Sequence, residues 1–367
     1  MSPPESVPQG QPWIVSRRFD VTFFCASLAV PLLLWVGFSA GWLTGVAVYV
    51  LFQVLFNLPH NFQTWTLSVL DPADRARNGR RYVIASAICL SVIGGPMVLS
   101  PDVVYPLVRD ALIYWGYYHL VRQHYGFQRL YERKSGGVGP RESFFFGRLL
   151  DAVSYLPLLL RFDDASNMTI RAGANALAIT HVPLSRAAWF CVLALWGLAV
   201  LLSVGQHIVL ASRGRTHLWP RTLLLWSVTV CFGLAGLVID DLIVAIAVVT
   251  AYHNLQYLGL LGFHNANRAR LEPGSANPTI RWLQDGRWRL YVAASLIYGL
   301  VVLLPRASLP GVRLAELPIT FVVAMHYYVD SRMWRFADYP ERGRWLGLSR
   351  PARVESAGAV PGVASAG

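Results

Sequence analysis

Charged residues are scarce in this sequence, and their scarcity excludes an ordinary soluble protein. Only 14% of the 367 residues are charged, whereas 54% are hydrophobic and the mean hydropathy is +0.42. Apolar runs of about 18 residues or more recur along the chain, and a helix needs a run of this length to span a bilayer. The composition therefore predicts a polytopic membrane protein rather than two or three soluble domains.

Cysteines are also few, and their positions exclude several kinds of site. The four cysteines lie in apolar segments, and no two of them form a CxxC pair. A disulfide framework, a zinc knuckle and an iron-sulfur cluster all require closer or paired cysteines. We interpret Cys25, Cys89, Cys191 and Cys231 as small, buried apolar residues.

Hydropathy, with arginine clusters and Pro or Gly breaks as boundaries, predicts an all-α fold, a polytopic transmembrane helix bundle of about ten helices. One transmembrane helical domain is expected at 21–335. It follows a cytoplasmic N-terminal segment at 1–20 and precedes a cytoplasmic, largely disordered tail at 336–367. The ten predicted spans are 21–40, 43–65, 82–100, 104–128, 144–160, 187–210, 222–239, 242–264, 288–305 and 317–335.

The distribution of basic residues predicts the orientation of these spans. Of the 32 basic residues, 25 lie in segments that the ten spans place on the same side as the N-terminus. The positive-inside rule then puts both termini in the cytoplasm, and we expect a bacterial inner membrane. Because the basic residues are spread over every cytoplasmic loop, topology and anionic headgroups explain the net charge of +12. No nucleic acid partner is predicted.

Histidines mark one set of helices. Seven of the nine lie in or at the end of a predicted span, and all seven are on even-numbered spans, which run in one direction. An ionisable side chain in the hydrocarbon is costly and normally faces the bundle interior. A single such histidine is explained by an interhelical hydrogen bond, but five helices with histidines at one depth predict a shared site. The seven are His60, His119, His124, His207, His253, His264 and His326.

Spacing along the helices indicates which of these histidines bind a metal. His326 and Asp330 are four residues apart and share a face, so Asp330 is expected either to bind the ion or to orient the imidazole. A salt bridge at the helix end is the alternative role for Asp330. His119 and His124 lie about 140° apart on an ideal helix, so they reach one ion only across a π-bulge, or serve two ions. The predicted metal ligands are His60, His119, His124, His253, His326 and Asp330, with His207 and His264 undecided.

Other polar residues are predicted to support the same site. The tetrads HNFQ at 60–63 and HNLQ at 253–256 place Gln63 and Gln256 three residues after a histidine, where an amide can bond an imidazole or a metal-bound water. We expect both at the cofactor. Arg122 is expected to pair with Asp330 and to stabilise charge. The predicted catalytic residues are Arg122, Gln123 and Asp330.

With HLVRQH, HNFQ, HNLQ and HYYVD in its helices, the chain resembles in architecture the histidine-rich membrane non-haem iron oxygenases. These include fatty acid desaturases and hydroxylases, alkane monooxygenases and bacterial membrane carotene dioxygenases. The desaturase boxes HxxxH and HxxHH do not occur in it. The resemblance implies one or two ions of a transition metal, iron above all, a hydrophobic or lipid substrate from the bilayer, and an electron-donor protein.

These observations predict a metal-dependent membrane oxidoreductase of the desaturase, hydroxylase or dioxygenase type. Two other functions use the same residue types. A b-type haem protein would bind haem between two histidines on facing helices. A proton-coupled small-molecule transporter would use intramembrane His, Arg and Asp as a relay, and a purely structural bundle is the remaining alternative.

Overall fold

The computed structural model describes residues 12–172, 175–212, 218–275, 277–309 and 313–348. Within these ranges the chain is almost entirely helical, in agreement with the predicted fold class. The helices are α1 (Arg17–Ser39), α2 (45–66), α3 (Pro72–Leu99), α4 (Val104–Lys134), α5 (Pro140–Leu160), α6 (Arg186–Ser212), α7 (Trp219–Leu237), α8 (Leu242–Leu271), α9 (Pro278–Gln284), α10 (Trp288–Ser308), α11 (Leu317–Met333) and α12 (Pro340–Trp345).

A short β-hairpin, which the sequence did not predict, lies between α5 and α6. Its strands β1 (Thr169–Ala172) and β2 (Asn175–Ala178) are antiparallel, with Ile170 opposite Leu177. The backbone N–H of Ile179, just after β2, donates to the carbonyl of Met168 at 2.8 Å. The hairpin therefore closes back on the bundle and adds apolar side chains to one end of its interior.

Seven helices of the described part are long and apolar enough to cross a membrane, namely α1, α3, α5, α6, α7, α8 and α10. They correspond to seven of the ten predicted spans, so the predicted count of ten is not confirmed. The other three predicted spans are helical as α2, α4 and α11, but α2 contains polar residues such as Gln53 and Asn57, α4 is rich in charged residues and α11 has only 17 residues. These three helices carry His60, His119 and His326.

Helix α8 lies at the centre of the bundle. In its most apolar stretch 78% of the residues are buried, compared with 17% for α3 and 11% for α6. It packs against α1, α2, α7 and α9. Tyr252 and Gln256 of α8 both donate to the carbonyl of Phe24, at 2.7 Å and 2.9 Å. Those two bonds fix α1 against the central helix.

Helix α2 changes its winding just before its histidine. It consists of an α-helix at Gly45–Phe52, a π-helical turn at Gln53–Asn57 and an α-helix at Leu58–Thr66. Pro59 has no N–H, and in a regular helix its ring would meet the carbonyl four residues earlier. The π turn absorbs that mismatch. The break therefore lies directly before His60.

Both ends of the described chain are folded against the bundle. Asp20 accepts from the backbone N–H groups of Ile14 and Val15, at 2.6 Å and 3.0 Å. Arg342 of α12 donates to the carbonyl of Leu67 and pairs with Asp74, both at 3.0 Å. Residues 336–348, assigned to the tail by the sequence, thus belong to the packed structure, and 349–367 lie outside the described residues.

Candidate metal centre

Four helices each contribute one histidine to a single cluster. His60 of α2, His119 of α4, His253 of α8 and His326 of α11 each offer a ring nitrogen, and these four nitrogens lie within 4.8 Å of one another. His60, His253 and His326 are 1–3% exposed, and the side chain of His119 is 11% exposed. The cluster is therefore an interior feature of the bundle.

The four imidazole rings form a closed ring of neighbours. Ring centroids are 5.0 Å apart for His60 and His253, 5.1 Å for His253 and His119, 5.0 Å for His119 and His326, and 4.5 Å for His326 and His60. Each neighbouring pair meets edge to face, with interplanar angles of 68–77°. Four imidazoles at this spacing converge on one point.

A hydrogen-bonded chain fixes the tautomer of His326. Thr64 donates its single hydroxyl proton to Oδ1 of Asp330 at 3.1 Å, and Tyr257 donates to the same oxygen at 2.7 Å. The Oγ1 of Thr64 is also 2.8 Å from Nδ1 of His326, so Nδ1 must be the donor there. The Nε2 of His326 is then unprotonated, and its lone pair faces the cluster.

The distances within the cluster fit a bound transition-metal ion. Two imidazole nitrogens at about 2.1 Å from one ion are roughly 3.0–3.4 Å apart at ligand angles of 90–110°. The Nε2 atoms of His60 and His326 are 2.9 Å apart, a direct hydrogen bond just below this range. Opposite ligands of the same ion would be about 4.2 Å apart, close to the 4.8 Å limit of the whole group.

Buried nitrogens without hydrogen bonds lead to the same conclusion. Among the described residues, Nε2 of His119 and Nδ1 of His253 have no hydrogen-bond partner. An unsatisfied buried polar atom costs about 1–3 kcal/mol, and proteins seldom retain several together without a ligand. The donor set of this cluster therefore suits a metal cation.

Each histidine of the cluster is followed, four residues later, by a polar residue on the same helix face. Three of these residues, Thr64, Tyr257 and Asp330, lie one turn beyond the histidines and bond one another as described above. The fourth, Gln123, donates to the backbone carbonyl of His253 at 2.9 Å. Thr64 and Tyr257 were missed in the sequence, although the spacing that selected Asp330 would have found them. The four pairs are His60 with Thr64, His119 with Gln123, His253 with Tyr257, and His326 with Asp330.

Asp330 lies beside the cluster rather than at its centre. Its Oδ1 accepts from Tyr257 and Thr64, and its Oδ2 is 3.8 Å from Nε2 of His119 and 3.9 Å from Nε2 of His326. The carboxylate thus orients His326 through Thr64 and holds a free oxygen toward two imidazoles. The sequence analysis considered two roles for Asp330, orienting an imidazole and binding the ion. Oδ1 is placed for the first role, and Oδ2 faces the imidazoles as the second role would require.

His124 is outside the four-histidine group. Its Nδ1 is 2.8 Å from the carbonyl of Leu120 in its own helix, and its ring is 6.5 Å from that of His253. Helix α4 is α-helical from Val104 to Lys134, without the π-bulge that would turn His124 toward His119. Its side chain consequently packs near Tyr252.

Arg122 does not pair with Asp330 in the described structure. Its guanidinium lies over the ring of Tyr125, 4.0 Å from the centroid. The pairing expected from the sequence is wrong, since the guanidinium is held on the Tyr125 ring and Oδ1 of Asp330 accepts from Tyr257 and Thr64. Arg122 lines a separate cavity that also reaches His119 and Asp330.

The two glutamines of the tetrads are buried beside the cluster without bonding a cluster imidazole. Gln256 donates to Phe24, and Oε1 of Gln63 has no partner among the described residues. The two undecided histidines are elsewhere. His207 stacks on Trp219 between α6 and α7, and His264 bonds Asn265 and packs against Trp345.

The four histidines form part of the wall of an apolar cavity of about 530 Å³. The cavity follows the N-terminal halves of α4, α8 and α11, and residues such as Leu112, Ile246 and Val323 line it. Along α11 the lining extends from Glu316 to His326, ten residues later, which is about 15 Å along a helix. An elongated apolar molecule therefore fits between Glu316 and the histidines.

Comparisons with known proteins give no match to this chain among family models, curated proteins or solved structures.

Proposed function

We propose that this chain is an integral membrane metalloenzyme, an oxidoreductase of the oxygenase type that uses one non-haem iron ion. The observation that carries the proposal is the convergence of four imidazoles from four helices at the wall of an apolar cavity. Three residues, Thr64, Tyr257 and Asp330, bond one another beside the cluster. Such supporting bonds typically orient metal ligands and raise their affinity.

The donor set favours a transition metal, and among these metals iron is proposed from the architectural resemblance to membrane non-haem iron oxygenases. Imidazole nitrogens with one nearby carboxylate suit iron, copper, zinc or manganese, and thiolate ligands would be expected for softer sites. None of the four cysteines belongs to the cluster. When bound, the ion would supply oxygen activation or Lewis-acid chemistry. One ion is proposed because all four imidazoles converge on one point.

The chain's own residues position the substrate and the ligands. The mostly apolar cavity would hold a lipid or other hydrophobic substrate against the histidines. Gln123 keeps α8 in register with α4 through its bond to the carbonyl of His253. Thr64 keeps Nδ1 of His326 protonated, so its Nε2 stays available as a ligand.

The two alternative functions receive unequal support. A haem between any two of these histidines would need the space that the other two occupy, because the macrocycle is wider than the cluster. A transporter is favoured by one observation, namely that cavities adjoin the histidines on two sides. Arginines line the second cavity, however, and they would repel a metal cation or a proton.

We further propose that the bundle lies in a bacterial inner membrane with both termini cytoplasmic, which requires an even number of crossings, as when α2, α4 and α11 cross together with the seven apolar helices. The basic loops of the N-terminal side would then face anionic headgroups and a cytoplasmic electron-donor protein. Reporter fusions to each terminus test the orientation. Activity of a periplasmic reporter at either end would contradict it.

Expression in a host membrane tests the enzymatic function even while the substrate is unidentified. Membranes that contain the wild-type chain should accumulate oxygenated or dehydrogenated apolar products, measured by mass spectrometry of the lipid extract. The His119→Ala variant should give none, because a ligand is lost, whereas the His264→Ala control should match wild type. Identical extracts from wild type and His119→Ala would contradict the proposal, and vesicle flux abolished by Asp330→Asn would favour transport instead.

A further inference from the structure

A second cavity, of about 850 Å³, lies on the other side of the histidine cluster. It follows the C-terminal halves of α4 and α11, whereas the apolar cavity follows their N-terminal halves. His119 and Tyr327 line both cavities. One histidine of the cluster, His119, can thus be reached from two sides.

The lining of this second cavity is strongly basic. It includes four arginines, Arg122, Arg129, Arg133 and Arg335. Arg129 pairs with Glu132 at 2.6 Å. The other three have no carboxylate partner among the described residues, since Arg122 lies over Tyr125, Arg133 lies over Phe336, and Arg335 donates to the carbonyl of Ser331.

Two carboxylates also line the cavity, and both are already engaged. Glu132 pairs with Arg129 and, at 3.2 Å, with the buried Arg221. Asp330 accepts from Tyr257 and Thr64 at the deep end. These carboxylates therefore leave the charges of Arg122, Arg133 and Arg335 uncompensated.

The three arginines are spread along the depth of the cavity. Arg122 is one helical turn from His119. Arg133 is eleven residues further along α4, about 16 Å toward the C-terminal end of the helix. Aromatic faces hold the guanidiniums of Arg122 and Arg133, which leaves their N–H edges to bind oxygen ligands. A cleft lined by one sign of charge concentrates ions of the opposite sign.

We propose that this cavity is a binding site for a ligand that carries a phosphate or carboxylate group. Guanidinium groups recognise both anions through paired N–H donors. The anionic group would enter past Arg133 and Arg335 and bind at Arg122, next to His119. Two sources can supply it, a soluble metabolite of phosphate or carboxylate type and an anionic lipid headgroup. The proposal does not depend on the identity of the metal or on catalysis.

Binding to the purified full-length protein tests the site, with the protein in a neutral detergent for the soluble probe and in nanodiscs for the lipid probe. Inorganic pyrophosphate is the soluble probe, titrated at low salt by calorimetry, and phosphatidylglycerol in nanodiscs is the lipid probe, counted by native mass spectrometry. Arg122→Gln combined with Arg335→Gln removes two charges from the cavity. The matched control, Arg287→Gln with Arg289→Gln, removes two charges from exposed positions at the start of α10.

Saturable binding of at least one probe to wild type is expected, with affinity at least tenfold weaker in the cavity variant and unchanged in the control. Pyrophosphate binding would identify a soluble ligand, and retained lipid alone would identify a headgroup. The double variant Arg122→Lys with Arg335→Lys keeps both charges but loses the paired N–H donors, so its affinity should lie between those of the cavity variant and wild type. The proposal is overturned if neither probe binds saturably, or if the cavity variant and the control lose affinity equally.

Discussion

Thr64 is the residue that connects His326 to Asp330 in the candidate site. Its hydroxyl accepts from Nδ1 of His326 and donates to Asp330, and therefore connects a ligand candidate to the only carboxylate beside the cluster in the described structure. The arrangement is that of a carboxylate that orients a metal-binding imidazole, with a hydroxyl inserted between the two. Because Asp330 accepts the only hydroxyl proton of Thr64, Nδ1 of His326 must carry the proton of the second bond.

Replacing Thr64 by valine removes the hydroxyl and nearly preserves the shape of the side chain. We expect the affinity for the metal to fall about 10- to 100-fold, as when other groups that support a metal ligand are lost. Competition with a chelator measures this affinity. Thr66→Val is the matched control, because the Thr66 hydroxyl donates to the carbonyl of Gln63 and bonds neither His326 nor Asp330 in the described structure. Equal affinity in both variants would show that Thr64 does not orient His326.

The histidine pattern predicted most of this cluster from the sequence. His60, His119, His253 and His326 could be grouped because they recur on helices of one direction at one depth. His124 could not be separated from them, because its side chain direction depends on whether α4 contains a π-bulge. Arg122 and Asp330 were expected to pair on charge alone. The hydroxyls of Thr64 and Tyr257, which bond Asp330 instead, carry no charge signal.

Among the helices, those that build the site differ in composition from those that surround it. Helices α3, α6 and α10 have largely exposed apolar residues, as expected of surfaces that face lipid. Helices α2, α4 and α11 bring polar side chains to the interior. A helix that carries a polar site can satisfy its side chains only inside the bundle. The outer helices therefore supply the apolar surface that these three lack.

The predicted count of ten spans rested on hydropathy and charge alternation, and the same compositional difference explains why it is not confirmed. Polar residues such as Gln53 and Asn57 lower the hydropathy of α2, and charged residues such as Asp110 and Arg122 lower that of α4. The sequence correctly placed a helix at each of these segments. It could not show that α12 folds back onto the bundle, because Arg342 meets Asp74 across 268 positions of the chain.

Across the bundle, polarity changes in layers along the direction of α4, α8 and α11. An apolar cavity is followed by the histidines, then by the layer of Thr64, Gln123, Tyr257 and Asp330, and finally by the arginine-lined cavity. A hydrophobic substrate and a polar ligand would thus approach the same centre from opposite sides. A mutation in the apolar cavity should therefore impair substrate binding without changing the metal content.

Filling the apolar cavity tests that separation. Ile246 lines the cavity and lies seven residues before His253 on α8. The Ile246→Trp variant should lose at least tenfold in formation of oxidised products, because the substrate volume is occupied, and should keep the metal content of wild type. Ile297→Trp places the same side chain at an exposed position of α10 and should leave both quantities unchanged. Full product formation by Ile246→Trp would contradict the assignment of this cavity to the substrate.

The metal content of the purified protein tests the central claim most directly. Elemental analysis after purification in detergent should find about one transition-metal ion per chain, with iron in excess over zinc, copper and manganese. His253→Ala should reduce the content below half, because one of four converging imidazoles is lost, whereas His124→Ala and His264→Ala should retain it. Wild-type protein without a stoichiometric metal, or His253→Ala with an undiminished content, would contradict the account.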